Sequence, residues 1–103
     1  MIDLAAIDAI PDPGVLRVDA GGRAICLVRV GERVTAFVDE CPHAGMSLAE
    51  GEILDRCELQ CAWHGARFDV ATGALRAGPA MRGLTSIVVR VADGRVIAET
   101  LAP

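Results

Sequence analysis

The sequence predicts an all-β protein, an antiparallel β-sandwich or barrel base carrying a small inserted subdomain, and three observations point to it. Apolar residues recur at period two in short runs: Cys26, Val28 and Val30, then Val34, Ala36 and Val38, then Ile87, Val89 and Val91. Turn signals separate these runs at Gly21-Gly22, Gly31-Glu32 and Asp93-Gly94. No stretch of ordinary helix length shows a helical period, and there is no repeat, low-complexity segment or heptad.

Each element follows from local chemistry. Residues 1–13 carry Ile2, Leu4, Ile7 and Ile10 and end in Pro11-Asp12-Pro13, which reads as a short strand, one helical turn and a bend. Residues 15–18 are a strand, Ala20-Gly21-Gly22 is a turn that needs permissive backbone, and residues 23–30 return as the second strand of a hairpin. Gly31-Glu32 turns the chain into a strand at 33–38. Asp39-Glu40 lead into Cys41, where Pro42 cannot extend a ladder and Gly45 permits a tight return. Residues 51–54 and 57–61 form a second small hairpin, with Cys57, Leu59 and Cys61 on one face by strand alternation. Residues 68–70 and the turn Ala71-Thr72-Gly73 close the insertion. The base then resumes with an alternating strand over 87–91, the two-residue turn Asp93-Gly94 and a last strand at 96–98.

A chain of 103 residues is expected to form a single domain, 1–103, with a modest core and the inserted subdomain at about 40–80. Hydrophobic content of 52% beside 23% charged residues excludes a disordered chain. The net charge is −4, and all ten basic residues are arginines scattered along the chain, so there is no nucleic-acid footprint. Met1-Ile2-Asp3-Leu4 has no basic leader, and Asp3 and Asp8 interrupt any apolar run, so the expected location is cytoplasmic. No membrane span is expected either, since the apolar run at 24–28 stops at Arg29.

The chemistry is concentrated between Cys41 and His64. Both histidines of the chain lie there, each close behind a cysteine, as Cys41-Pro42-His43 and Cys61-Ala62-Trp63-His64. Zinc modules usually pair two cysteines at one knuckle and two histidines at the other. Here each knuckle carries one thiolate and one imidazole, which suits a dinuclear centre in which each of two loops gives one ligand to each metal. One iron then receives two sulfurs and the other two nitrogens. Cys26 and Cys57 lie in strand-like runs and are expected to be buried, reduced and structural.

The pattern Cys41-x-His43 and Cys61-x-x-His64, with residues 44–60 between, resembles the signature of Rieske-type iron–sulfur proteins. Gly45, Leu48-Ala49-Glu50-Gly51, His64-Gly65, Arg67-Phe68-Asp69, Thr72-Gly73 and Gly78-Pro79-Ala80 extend the resemblance over nearly the whole chain, toward the small Rieske ferredoxins of bacterial ring-hydroxylating oxygenase systems. The respiratory branch has an extra cysteine in each loop and Ser and Tyr hydroxyls directed at the cluster. This chain has Met46, Trp63, Ala66 and Phe68 instead, so the ferredoxin branch fits better.

The resemblance implies a Rieske-type fold and one [2Fe-2S] cluster per chain held by Cys41, His43, Cys61 and His64, with Gly78-Pro79 in a third loop that covers it and Trp63 shielding it. With two imidazoles in place of two thiolates the oxidised cluster is neutral, so adding an electron costs less than in an all-cysteine cluster. The function implied is one-electron carriage from an NAD(P)H-dependent flavin reductase to a terminal, aromatic-ring-hydroxylating oxygenase, through transient contacts. No histidine remains for a mononuclear iron or a catalytic triad, so the chain is not itself an enzyme. Two other readings use the same residues: a small Rieske subunit of a nitrite-reductase-like complex, and a non-redox Cys₂His₂ zinc module. The acidic residues Asp39, Glu40, Glu50, Glu52 and Asp55 form either a solvated face or a docking rim. The ligand assignment predicts that His43→Ala or His64→Ala abolishes the Rieske absorption spectrum, whereas Ser or Ala at Cys26 or Cys57 leaves it intact. Loss of the spectrum in both cysteine variants would show the ligands to be misassigned.

Overall fold

The computed structural model describes residues 1–40, 47–62, 65–78 and 82–101. They form β1 (Ile2–Ala6), β2 (Gly14–Ala20), β3 (Arg23–Val30), β4 (Arg33–Val38), β5 (Glu52–Leu54), β6 (Glu58–Gln60), β7 (Arg67–Asp69), β8 (Leu75–Ala77), β9 (Ser86–Ile87), β10 (Val89–Ala92) and β11 (Arg95–Ala98), with 3-10 turns at Ile7–Ala9 and Leu48–Glu50. The strands make three antiparallel sheets, β1-β11-β10, β2-β3-β4-β9 and β5-β6-β7-β8. No helix among the described residues is long and apolar enough to cross a membrane.

Two of the expected turns set the base. Gly21 and Gly22 have φ of 57° and 78°, and Asp93 and Gly94 have 50° and 73°. Left-handed backbone at both central residues matches the twist of the flanking strands, and the registers close as Ala20↔Arg23 and Ala92↔Arg95. The alternating run at 87–91 does not stay in one strand. Ile87 pairs with Ala36 of β4, while Val89 pairs with Ala98 of β11. Val88 sits at the corner, 83% exposed, where the chain passes from one sheet to the other.

The middle sheet is buried on both faces. Ile25 and Leu27 of β3 point into the base with Ile10, Val34, Ala36, Ile87 and Val96. Their neighbours Cys26 and Val28 point the other way, into a second core with Phe37, Leu48, Leu59, Phe68 and Val70. Four consecutive buried side chains thus serve two cores, each fully buried aliphatic contributing about 1.5–3 kcal/mol of transfer free energy. Burial pushes the Cys26 thiol well above its ordinary range, and the nearby Asp39 charge adds to the shift, so Cys26 stays protonated and inert.

Cys57 departs from the expectation. It is exposed, in a three-residue turn between β5 and β6 in which Asp55 and Arg56 adopt φ of 50° and 58°. Its N–H donates to the Leu54 carbonyl at 3.0 Å, and the strand begins only at Glu58. From the tip of that turn Arg56 reaches the bend before β2, where Asp12 Oδ1 accepts from Arg56 Nη2 at 3.0 Å and from the Gly31 N–H at 2.8 Å. The small sheet is therefore pinned to the base at its outer end as well as through its core.

The β7–β8 turn is organised by Asp69. Its carboxylate accepts from Arg76 Nη2 at 2.6 Å and from the N–H groups of Ala71 and Thr72 at 2.7 and 3.1 Å. The Arg76 bond first, then the backbone donors, hold this carboxyl below the usual range. Its contribution is complete above the unfolded pKa of about 3.9 and disappears as pH falls through the lower folded value. Asp69→Asn is therefore expected to lower the melting temperature by a constant amount above about pH 5, with the gap to wild type shrinking below about pH 4. Thermal melts across that range check it.

Candidate metal centre

The site is built where three connections meet at one end of the small sheet. Of the four expected ligands, Cys41, His43 and His64 lie outside the described residues, as do Met46, Trp63 and Pro79. Cys61 is described: it follows β6 directly and is 2% exposed. Its N–H donates to the Ala66 carbonyl at 2.8 Å, which closes the second ligand loop at its base. Gly65, with φ of 72°, turns the chain back toward β7.

The first loop is closed by a side chain. Asp39, expected on a solvated acidic face or a docking rim, is buried instead, with its side chain fully enclosed. Oδ1 accepts from the N–H groups of Leu48 and Ala49 at 2.7 and 3.2 Å, and Oδ2 accepts from Ser47 Oγ at 2.7 Å. Arg17 Nε stands 3.7 Å away as a partial countercharge. Burial of a carboxylate is tolerated where such donors surround it. Of the other acidic residues, Glu40, Glu50, Glu52 and Asp55 are exposed. Glu50 and Glu52 line a cleft together with Gln60, Cys61, Ala62 and Gly65.

The loop bases are locked against one another by backbone contact. A Cβ on Gly51 would lie 2.1 Å from the Gln60 carbonyl oxygen, so the chain leaving the first loop lies directly on the strand that enters the second. A Cβ on Gly78 would lie 2.6 Å from Ala66 Cα, and Gly78 has φ of 103°. The third connection, expected at Gly78-Pro79, thus presses on the base of the second loop. Ala66 and Phe68 are both fully buried on the face shared with Leu59 and Cys61, and neither offers a hydrogen-bond donor from its side chain.

The donor set fits a dinuclear iron–sulfur centre. A buried thiolate-forming cysteine stands at the mouth of a loop whose sequence carries an imidazole three residues on, and the partner loop, rooted a few ångströms of backbone away, carries the second such pair. Among the described residues no three His, Cys, Asp or Glu side chains group around a point, since three of the expected ligands lie outside them.

Comparison with known proteins decides the family. The Rieske [2Fe-2S] domain matches residues 1–98. The chain belongs to the Rieske [2Fe-2S] domain family. It is 34% identical over 100 residues to the ferredoxin component of the p-cumate 2,3-dioxygenase system of Pseudomonas putida, covering 96% of this chain and 85% of that one. Among solved structures, the ferredoxin of carbazole 1,9a-dioxygenase from Nocardioides aromaticivorans superposes with a TM-score of 0.87 at 28% identity, over 94% of each chain. A structure described as a complex of reduced oxygenase and oxidized ferredoxin in carbazole 1,9a-dioxygenase matches with a TM-score of 0.82 at 31% identity, covering 92% of this chain and 88% of that one. The all-β fold with an inserted small sheet is thus the Rieske fold that the sequence led us to expect, and the cofactor of the family is the [2Fe-2S] cluster.

The Gly78–Ala66 contact yields a prediction. Gly78→Ala puts a methyl group against backbone, in a conformation L-residues avoid, and is expected to destabilise the loaded protein by about 2 kcal/mol or more. Thermal unfolding and iron content per chain check it, and an unchanged melting temperature would contradict the packing of this third connection.

Proposed function

We propose that this Rieske protein is a one-electron carrier that accepts electrons from an NAD(P)H-dependent flavin reductase and delivers them to a terminal aromatic-ring-hydroxylating oxygenase in the cytoplasm. In this reading residues 1–103 form a single domain, and Cys41, His43, Cys61 and His64 of the cluster-binding subdomain at about 40–80 are the ligands. One observation carries the proposal: the chain has two histidines, both inside the motif, so nothing remains to build a second, substrate-activating iron site. The relatives at 30–34% identity with ferredoxin in their names support the same assignment. When bound, the cluster supplies a one-electron couple.

The protein's own residues do the rest. The buried cores beneath Cys61, with Phe68 and Leu59 fully enclosed, keep water from that side of the centre. Ala66 and Phe68 leave it without side-chain hydroxyl donors at the two positions where the respiratory branch has them. Donors to the sulfurs stabilise the more negative, reduced state, so their absence holds the potential down. A carrier must also release each partner, so its contacts are expected at the small end of specific interfaces, roughly under 1,200 Å².

Spectroelectrochemistry tests the proposal. A single one-electron wave is expected near the lower end of the Rieske range, about −150 mV, with reduced protein reoxidised by a terminal oxygenase. Ala66→Ser with Phe68→Tyr should raise the midpoint, and a rise of about 59 mV is a tenfold change in the one-electron equilibrium. The Tyr hydroxyl enters a fully buried core and costs about 1–3 kcal/mol unless it finds an acceptor, so its bonding to the centre and the rise in potential go together. A wild-type value at the top of the range, or a double variant that moves downward with its cluster intact, would contradict this account.

A further inference from the structure

Asp39 has no part in the ligand set, yet it is the one buried polar or charged residue among those described, and its connections are unusual. The backbone around it is fixed on both sides: Val38 N–H donates to the Thr85 carbonyl at 2.9 Å, and Asp39 N–H to the Ala24 carbonyl at 3.0 Å. Glu40 N–H then folds back onto the Val38 carbonyl at 2.7 Å, and the chain departs from the sheet. It returns at Ser47, and there the Asp39 carboxylate takes the Ser47 hydroxyl and the Leu48 and Ala49 N–H groups. Leu48 is itself fully buried in the core beneath.

A local device could have satisfied those N–H groups. Ser47-Leu48-Ala49-Glu50 has the sequence of a capping box, in which Ser47 would accept from the third N–H of its own turn. In the structure Ser47 makes no such bond and donates to Asp39 instead. A cap drawn from across the loop does what a local cap cannot. It joins the chain on either side of residues 40–46, and so fixes the separation of those two ends. The 3-10 turn so held continues through Gly51 onto the Gln60 carbonyl, one residue before Cys61, so the constraint extends to the second loop.

We propose that Asp39 is a positioning residue for the cluster: its carboxylate clasps the two ends of the first ligand loop, fixing the frame from which Cys41 and His43 reach the metal. The proposal rests on the reading of Cys41 and His43 as ligands, and it assigns Asp39 to the inside of the site. The clasp needs acceptor oxygens at the Leu48 and Ala49 N–H groups and a partner for the Ser47 hydroxyl. An asparagine supplies these, because its amide oxygen accepts and its amide nitrogen donates to a hydroxyl that can also accept. Alanine supplies none.

The test compares cluster-loaded wild type with Asp39→Ala, Asp39→Asn, Ser47→Ala and a control, Val96→Ala, which opens a cavity in the base core. The readouts are the rate of iron release to an excess of chelator, the electron paramagnetic resonance line shape of the reduced protein and the melting temperature. Asp39→Ala is expected to release iron about tenfold faster, the rate equivalent of one lost charge-assisted hydrogen bond, with broadened resonance lines. Asp39→Asn is expected to restore the wild-type line shape and most of the slow release, and Ser47→Ala to fall between wild type and Asp39→Ala. Val96→Ala should lower the melting temperature yet leave release and line shape at wild-type values. Release and line shape unchanged in Asp39→Ala, or moved as much by Val96→Ala, overturn the proposal. If Asp39→Ala does not fold, an unchanged Ser47→Ala, or an Asp39→Asn that loses iron faster than Ser47→Ala, overturns it as well. Wild-type protein that binds no iron overturns the functional reading, and this proposal with it; loaded wild type with unaffected variants overturns this proposal alone.

Discussion

Everything in this molecule stands on a strand that is buried on both faces. In β3 the run Ile25-Cys26-Leu27-Val28 sends alternate side chains into two separate cores, the base below and the small sheet above. A strand in that position tolerates polar side chains on neither face, and a one-residue slip would exchange the two sets. It also explains why Cys26 is a cysteine without chemistry: the site asks for a small apolar group, and burial keeps the thiol protonated. The small sheet has three-residue strands and could not stand alone. Leu59 and Phe68, opposite each other on β6 and β7, pack it onto the face that β3 and β4 present through Val28 and Phe37.

An electron carrier benefits from a site whose geometry is the same before and after transfer, since preorganised surroundings need little rearrangement at the moment of reaction. The roots of the loops show how such constancy is obtained here. Cys61 is tied to Ala66, Gly78 lies against Ala66, and Gly51 lies against Gln60, all through backbone that cannot change rotamer. The first loop has no equivalent backbone closure among the described residues and is closed by the Asp39 carboxylate. The centre is thus framed by main chain on one side and by one enclosed charge on the other. The exposed acids Glu40, Glu50, Glu52 and Asp55 lie outside that frame, free to meet a partner or water.

Much of this was legible in the sequence. The glycine-containing turns at Gly21-Gly22 and Asp93-Gly94, the period-two runs of β3 and β4 and the 3-10 turn after β1 all follow from local rules, and local rules governed those positions. The rest depends on distant contacts. The turn at Asp55-Arg56-Cys57 contains no glycine or proline, so no local signal ends the strand before Cys57, and alternation alone puts that side chain inside. Ile87, Val89 and Val91 read as one alternating strand, but the chain changes sheets at Val88, between the first two, and periodicity cannot register a corner. Asp39 reads as one more acid beside Glu40, because the donors that justify its burial come from residues eight to ten positions later. The capping-box pattern at Ser47 to Glu50 was a clue to a turn there, though it named the wrong cap.

The central claim is that this chain carries one electron at a centre ligated by two imidazoles and two thiolates on different irons. Electron–nuclear double resonance on the reduced protein, prepared with nitrogen-labelled histidine, tests it most directly. The account predicts hyperfine couplings to two imidazole nitrogens, both belonging to one iron of a spin-coupled pair. Couplings to one nitrogen or none, or a colourless protein with stoichiometric zinc and no resonance at all, would contradict it.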